Sequence, residues 1–402
     1  MKVLKRLYCR VFQAAFRLVM PLMPYREPEC FDDVEELAGL LERLKPEAVL
    51  LVTDEGLCRA GLTAKAEGLL QRLNIRCALY RGTRANPTVA NVEEALALYK
   101  KEKCSCIIAL GGGSPMDCAK GVGARAAYPN RPLAKLKGLL RVLRKIPPLI
   151  AIPTTAGTGS EVTLTAVLTD DVKKHKYTMN DFTLIPRYAV LDPDLTRSLP
   201  PSLTASTGMD ALTHAVEAYI GQSTTPLTRA RALEAVQLIF ANLEKAYGDG
   251  GNMETRRNML RASYAAGIAF SRSYVGYVHA VAHSLGGQYN LPHGLTNAVL
   301  LPHVLEKYGG AIHGKLAELA LCAGVAQAED NAADAAAKFI AAIRAMNERM
   351  GIPAKLKGII REDIPAMAAH AAKEANPLYP VPVLMEAQEL EEFYYRIMDT
   401  DQ

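Results

Sequence analysis

The chain reads as an α/β N-terminal domain built on a parallel sheet, followed by an all-α C-terminal domain. Three observations carry that reading. Short, non-alternating apolar runs in the first half are separated by amphipathic stretches of helical period, as expected for strands buried on both faces beneath helices. After Leu199-Pro200-Pro201 the texture changes to alanine- and leucine-rich helix, with no strand candidate of comparable quality. The length, 402 residues, exceeds what one core usually holds. The expected boundaries are a basic N-terminal segment over 1–24, the α/β domain over 25–198 and the helical domain over 199–402.

Residues 1–24 carry five basic and no acidic side chains, with Leu4, Leu7, Val11, Phe12, Ala15, Phe16 and Val19 forming an apolar helical stripe. The segment is too short and too charged to span a bilayer. It lacks the uncharged core and cleavage site of a secretory leader. An amphipathic face usually buries against protein, so packing on the chain itself or on a second copy in a homo-oligomer is preferred to a membrane surface.

Strands are expected at 48–54, 76–82, 104–114, 148–155 and 188–194. Between them, helical runs span Asp32 or Asp33 to Leu44, residues 62–73, and Thr88 to about Lys103. In the second half, helices are expected at 205–221, 226–247, 253–270, 273–286, 311–326 and 330–350.

Half the residues are apolar and 22% are charged, the balance of a soluble globular protein. The net charge of +5 is scattered, without a basic stripe interleaved with aromatics, which argues against nucleic acid as a partner. The eight cysteines contain no CxxC pair. Cys104 and Cys106, two apart in an apolar run, are expected on one strand face as buried thiols. That usage points to a reducing cytoplasm.

The most informative residues are Asp210, His214, His279 and His293. Asp210 and His214 stand four apart in the helical stretch GMDALTHAVEAYI, so both leave one face a turn apart. His279 and His283 repeat that spacing in YVHAVAHSLGG, and His293 follows in the turn-like NLPHG. One carboxylate with several imidazoles suits Fe(II), Zn(II), Mn(II) or Co(II). A lone histidine is more often a satisfied structural residue, but five such residues in two short segments favour a divalent-metal site.

Two glycine-rich turns lie in the other half. Gly111-Gly112-Gly113-Ser114-Pro115 follows a strand and opens a helix through Asp117, Ala119 and Lys120. Bare backbone and a helix N-terminus suit a phosphate there. Pro153-Thr154-Thr155-Ala156-Gly157-Thr158-Gly159-Ser160 offers hydroxyl donors with the same logic. Asp54 ends the first strand. Taken singly it would be a turn or N-cap residue; beside two phosphate-type loops it suits an adenosine ribose and repels a 2′-phosphate, favouring NAD over NADP.

GGGSPMDCAK, PTTAGTGSE, GMDALTHAVEAYI and YVHAVAHSLGGQYNLPHGLTNAVLLPH resemble the signature blocks of the iron-containing (group III) alcohol dehydrogenases, from about residue 30 to the end. The resemblance implies a dehydroquinate synthase-like two-domain architecture, an NAD(P)-dependent hydride transfer on small alcohols and aldehydes, and iron as the metal. It implies metal ligation by Asp210, His214, His279 and His293, and a place for His283 beside the nicotinamide and substrate. It implies cofactor contacts from Asp54, Asn86, Gly113, Ser114, Thr154, Thr155, Thr158, Thr163 and Lys176, and sets Phe270 towards the substrate. The chain departs from the pattern at Ser284, where a proline is usual, and at SRSYVGYVH, where the lead-in is usually glycine-rich. Its basic N-terminal helix replaces a short strand-forming start.

In such an enzyme the metal acts as a Lewis acid on a hydroxyl or carbonyl oxygen, and His283 passes the hydroxyl proton onward. Alternatives on the same frame are a zinc-dependent glycerol dehydrogenase-like enzyme and a dehydroquinate synthase-like one. The latter needs a Lys, Arg and Asn cluster that the histidine block does not show. A more distant alternative is a non-catalytic scaffold or membrane-docked binding protein, with the N-terminal helix as its working part. His303, His175 and Cys118 are assigned structural roles, Cys118 as an inert buried thiol although a helix N-terminus can lower a thiol pKa.

Overall fold

The non-alternating apolar runs form the centre of a sheet in the computed structural model, which describes residues 3–170 and 175–399. The chain separates into two compact units, Pro24–Ser198 and Met1–Met23 with Leu199–Gln402. Helix α1 (Val3–Val19) thus belongs with the helical unit rather than standing alone.

The Pro24–Ser198 unit holds β1 (Glu29–Phe31), α2 (Leu37–Leu44), β2 (Ala48–Val52), α3 (Glu55–Arg59), α4 (Ala64–Arg72) and β3 (Arg76–Tyr80). These are followed by α5 (Val89–Lys101), β4 (Cys106–Gly111), α6 (Gly113–Ala127), β5 (Gly138–Leu139), β6 (Leu149–Pro153), β7 (Thr165–Asp170), β8 (His175–Asn180) and β9 (Tyr188–Val190). Six strands pair in parallel in the order β1-β9-β6-β4-β2-β3. Every residue of β2, β4 and β6 is buried, because one core packs on each face. From β2 the chain runs outward to β3 on one side, then returns to pair β4 on the other. The reversal makes the carboxyl edge between β2 and β4 the sheet's topological switch point.

Four differences from the sequence expectations stand out. A second sheet, β5-β8-β7, escapes a search for continuous apolar runs: β7 alternates, burying Ala166 and Leu168, and β8 packs Tyr177 and Met179 on the core between polar residues. Cys104 and Cys106 do not share a face. Cys104 still belongs to the exit from α5, its N–H bonding Tyr99 O, and the two thiols pack in opposite cores. Burial pushes the Cys106 thiol up to about 12, and all eight cysteines are free.

The helical unit adds α7 (Pro201–Ile220), α8 (Pro226–Gly248), α9 (Met253–Ser273), α10 (Tyr277–Tyr289), α11 (His293–Tyr308), α12 (His313–Cys322), α13 (Ala332–Arg349), α14 (Ile364–Ala375) and α15 (Ala387–Ile397). Helix α7 is buried along most of its length, its polar Asp210, Thr213, His214 and Glu217 included, and packs against α8, α9 and α11. Helices α11, α14 and α15 were not anticipated. Pro302 interrupts the pattern of α11, and NLPHG reads as a turn although His293 opens that helix. The apolar stripe of α1 is the fourth difference. Phe12 and Phe16 are half-buried, whereas Leu4, Leu7, Val11, Ala15 and Val19 are exposed on this chain.

Candidate metal and nucleotide sites

Three helices bring the sequence-predicted metal residues together. Asp210 and His214 leave one face of α7, His279 comes from α10, and His293 is the first residue of α11. Their four ligand atoms all lie within 4.8 Å of one another. His293 Nε2 is 3.5 Å and His279 Nε2 3.9 Å from Asp210 Oδ1. Gly294 makes the approach possible, since a Cβ there would lie 2.3 Å from the Ser206 carbonyl oxygen on α7.

The donor set fits a divalent cation. Asp210 Oδ1 and two imidazole nitrogens converge on the neutral Asn297 amide, whose nitrogen donates to Asp210 Oδ1 at 2.7 Å and lies 3.1 Å from His293 Nε2 and 3.2 Å from His279 Nε2, its two N–H groups shared among the three. A cation meets the same electrostatic demand. Burial, then the neighbouring imidazoles of His214, His293 and His283, hold the His279 pKa well below its usual value, so the ring is neutral, as ligation requires.

Glu217 fixes that ring. Its Oε2 lies 2.6 Å from His279 Nδ1 and accepts from Gly276 N, while Oε1 accepts from Val278 N. An Nδ1–H bonded to a carboxylate makes Nε2 the lone-pair nitrogen, the usual support of a metal-binding histidine. Burial pushes the Glu217 carboxyl up to about 7 against the opposing hydrogen bonds from Gly276 and Val278. Glu217 was readable in principle, standing seven residues after Asp210 and three after His214 on the same helix. Asn297 was not, because NLPHG reads as a turn and no helix is expected over 293–308.

His283 lies beside this group, its ring stacked on His293 with centroids 5.1 Å apart, and its side chain is 40% exposed. Its Nδ1 is 2.6 Å from Glu374 Oε1, and that oxygen also accepts from Tyr379 OH at 2.7 Å. No local pattern announces Glu374, which comes from α14. Phe270 stacks on His214 at 4.1 Å, so at least one of its faces is spent on the proposed ligand. His303 stands apart from the group, near Arg344 and Glu306.

In the other unit, Asp54, the GGGS turn and the Thr154 loop leave the carboxyl ends of the adjacent parallel strands β2, β4 and β6. A Cβ on Gly112 would meet Thr155 at 3.3 Å and one on Gly113 would meet Thr158 at 3.2 Å, so the two loops abut. Gly113 and Ser114 open the fifteen-residue helix α6. Lys120, fully buried, staples the loops: its Nζ donates to Ser160 Oγ, Thr163 O, Thr163 Oγ1 and Thr165 O at 2.8–3.0 Å. Burial pulls this amine down to about 8. Thr163 is therefore turned towards Lys120. Asp54 caps α3, accepting from Leu57 N at 2.9 Å through Oδ1. Asn86, with φ 57°, precedes the Pro87 carbonyl that receives Thr169 N. Lys176 lies on β8, but its side chain falls outside the described residues. Cys118 is buried in α6, and burial pushes its thiol up to about 12.

A doubly wound sheet with paired phosphate-type loops, accompanied by a helical unit bearing one carboxylate and three imidazoles, defines a metal-dependent oxidoreductase frame. Residues 31–193 match the iron-containing alcohol dehydrogenase model, and 204–398 match the C-terminal model of the Fe-containing alcohol dehydrogenase family. The chain belongs to the iron-containing alcohol dehydrogenase family. It is 41% identical to 1,3-propanediol dehydrogenase of Klebsiella pneumoniae over 90% of this chain and 93% of that one. It is 39% identical to alcohol dehydrogenase 4 of Saccharomyces cerevisiae (strain ATCC 204508 / S288c), over 85% and 89% respectively. A crystal structure of 1,3-propanediol oxidoreductase superposes with a TM-score of 0.89 at 38% identity, covering 93% of this chain and 99% of that one. The protein is an oxidoreductase acting on alcohols and aldehydes.

Proposed function

We propose that Asp210, His214, His279 and His293 hold Fe(II), that NAD lies along the carboxyl edge of β2, β4 and β6, and that the chain interconverts small aldehydes and primary alcohols in the cytoplasm. The observation that carries the metal assignment is the convergence of four donor atoms within 4.8 Å, with one of the rings locked by Glu217. Zinc accepts the same ligands; the family favours iron. When bound, the metal supplies Lewis acidity and the nicotinamide supplies or accepts the hydride.

The chain's own residues orient the reactants and move the proton. Glu217 holds His279 in one tautomer. Glu374 and Tyr379 orient His283 through Nδ1, which leaves Nε2 as the basic nitrogen of that ring, the atom proposed to take a hydroxyl proton. Phe270 packs on His214 and keeps that ring in place. Bare backbone at Gly113 and the α6 N-terminus receive the pyrophosphate, with Ser114, Thr154, Thr155 and Thr158 as hydroxyl donors. Thr163 acts through Lys120 by holding the second loop. Asn86 and Lys176 complete the proposed cofactor contacts.

The test is anaerobic purification with metal analysis, then oxidation of NADH and of NADPH against a panel of short aldehydes. Activity with iron and NADH supports the reading; no aldehyde-dependent oxidation with any reconstituted metal would sink it. Asp54→Gly is expected to relax discrimination against NADPH by about tenfold to a hundredfold, as one removed charge repulsion should. Glycine is the suitable replacement because it costs an N-cap only a few tenths of a kcal/mol. An unchanged NADH/NADPH ratio of kcat/KM would remove Asp54 from the ribose site.

A further inference from the structure

Helix α1 is mounted with its polar side inward. Arg10 donates to Val381 O and Pro382 O, both at 2.8 Å, and Gln13 donates to Tyr379 O at 2.7 Å and Pro377 O at 3.3 Å. Cys9 and Met20 are buried, and Phe16 meets Tyr274 edge-on at 5.1 Å. The opposite side presents Leu4 (81% exposed), Leu7 (59%), Val11 (60%), Leu18 (76%) and, just past the helix, Leu22 (83%). Spacings of three, four and seven put these on one stripe, bordered by exposed Tyr8 and Val19. Lys5 lies to one side of it, the exposed Arg6 and Arg17 to the other, and no acidic residue occurs before Glu27.

The charge pattern decides what covers this face. A second copy docked through the same stripe would set flanking cations against flanking cations across the two-fold axis. Glu386, near Lys5 and Arg6, offsets only one of them. An anionic bilayer interface satisfies both features: the acyl boundary receives the leucines, and the head groups meet the flanking Lys and Arg. Among the described residues no helix is long and apolar enough to cross a membrane. We propose that α1 docks this enzyme reversibly on an anionic lipid surface, lying in the interfacial plane with Leu4, Leu7, Val11, Leu18 and Leu22 towards the acyl chains. The docking is independent of which metal and nucleotide the enzyme uses.

Flotation of the full-length protein with vesicles tests it. One set is phosphatidylcholine alone; the other contains about one-third phosphatidylglycerol. Recovery with anionic vesicles is expected to exceed that with neutral ones by about tenfold or more, and to fall as salt screens the cations. Combined Leu4→Ser, Leu7→Ser and Val11→Ser should lower partitioning by about a hundredfold or more. Arg6→Glu with Arg17→Glu should reduce anionic binding to the neutral level. Both variants keep aldehyde reduction in solution, which confirms that they fold. Failure of the parent protein to float with anionic vesicles overturns the proposal, as does equal binding to both vesicle types. A concentration-dependent dimer in sedimentation, dissolved by the serine variant and without vesicle binding, would show instead that the face joins two copies.

Discussion

His279→Ala is expected to lose metal and activity together. On the proposed ligand set the substitution removes one of four donors, and partners one step further from a metal already cost about 10–100-fold in affinity when removed. Occupancy after dialysis should therefore fall by more than about a hundredfold relative to the parent, and turnover should fall with it. A second consequence is specific to this chain. Glu217 is buried and loses its imidazole partner while keeping the Gly276 and Val278 N–H groups. A buried acceptor stripped of a partner costs about 1–3 kcal/mol, so the metal-free variant should melt below the metal-free parent. Elemental analysis, steady-state kinetics and thermal unfolding read the three effects. Full metal content in the variant would remove His279 from the ligand set.

His283→Ala is expected to do the opposite to the metal and nearly the same to the rate. The ring stands one helical turn from His279 and stacks on His293, and its Nδ1 is bonded to Glu374. Metal content should match the parent, while kcat falls by about 10²–10⁴-fold, the range of a lost proton-transfer group. Glu374→Ala should give a smaller loss in kcat, and Glu374→Gln should recover part of it, because the amide oxygen still accepts from Nδ1–H. Metal loss on substituting His283, or an undiminished kcat, would overturn the division between ligand and proton carrier.

Legibility followed the distance over which each feature is specified. The central strands could be read because a strand buried on both faces is apolar at every position, and β2, β4 and β6 are. The small sheet could not, because β7 and β8 owe their pairing to one another rather than to an apolar run. Asp210 and His214 were readable as a pair because helical spacing alone puts them on one face. Their meeting with His293 was expected from the residue types and the family resemblance rather than from spacing, since its geometry depends on α11 docking tightly enough on α7 to exclude any side chain at position 294.

Before folding, then, the chain already specified its α/β and helical halves, its two phosphate-type loops and the residue types of a metal site, all set by near neighbours along one element. Folding was needed to bring Glu217, Asn297 and Glu374 to their histidines, and to turn the polar side of α1 inward. Most of those outcomes rest on hydrogen bonds between residues tens to hundreds of positions apart, such as Arg10 with Val381 and His279 with Glu217. Hydrophobic period can say that a helix has an apolar face; it carries no information about which buried acceptors will claim the other one.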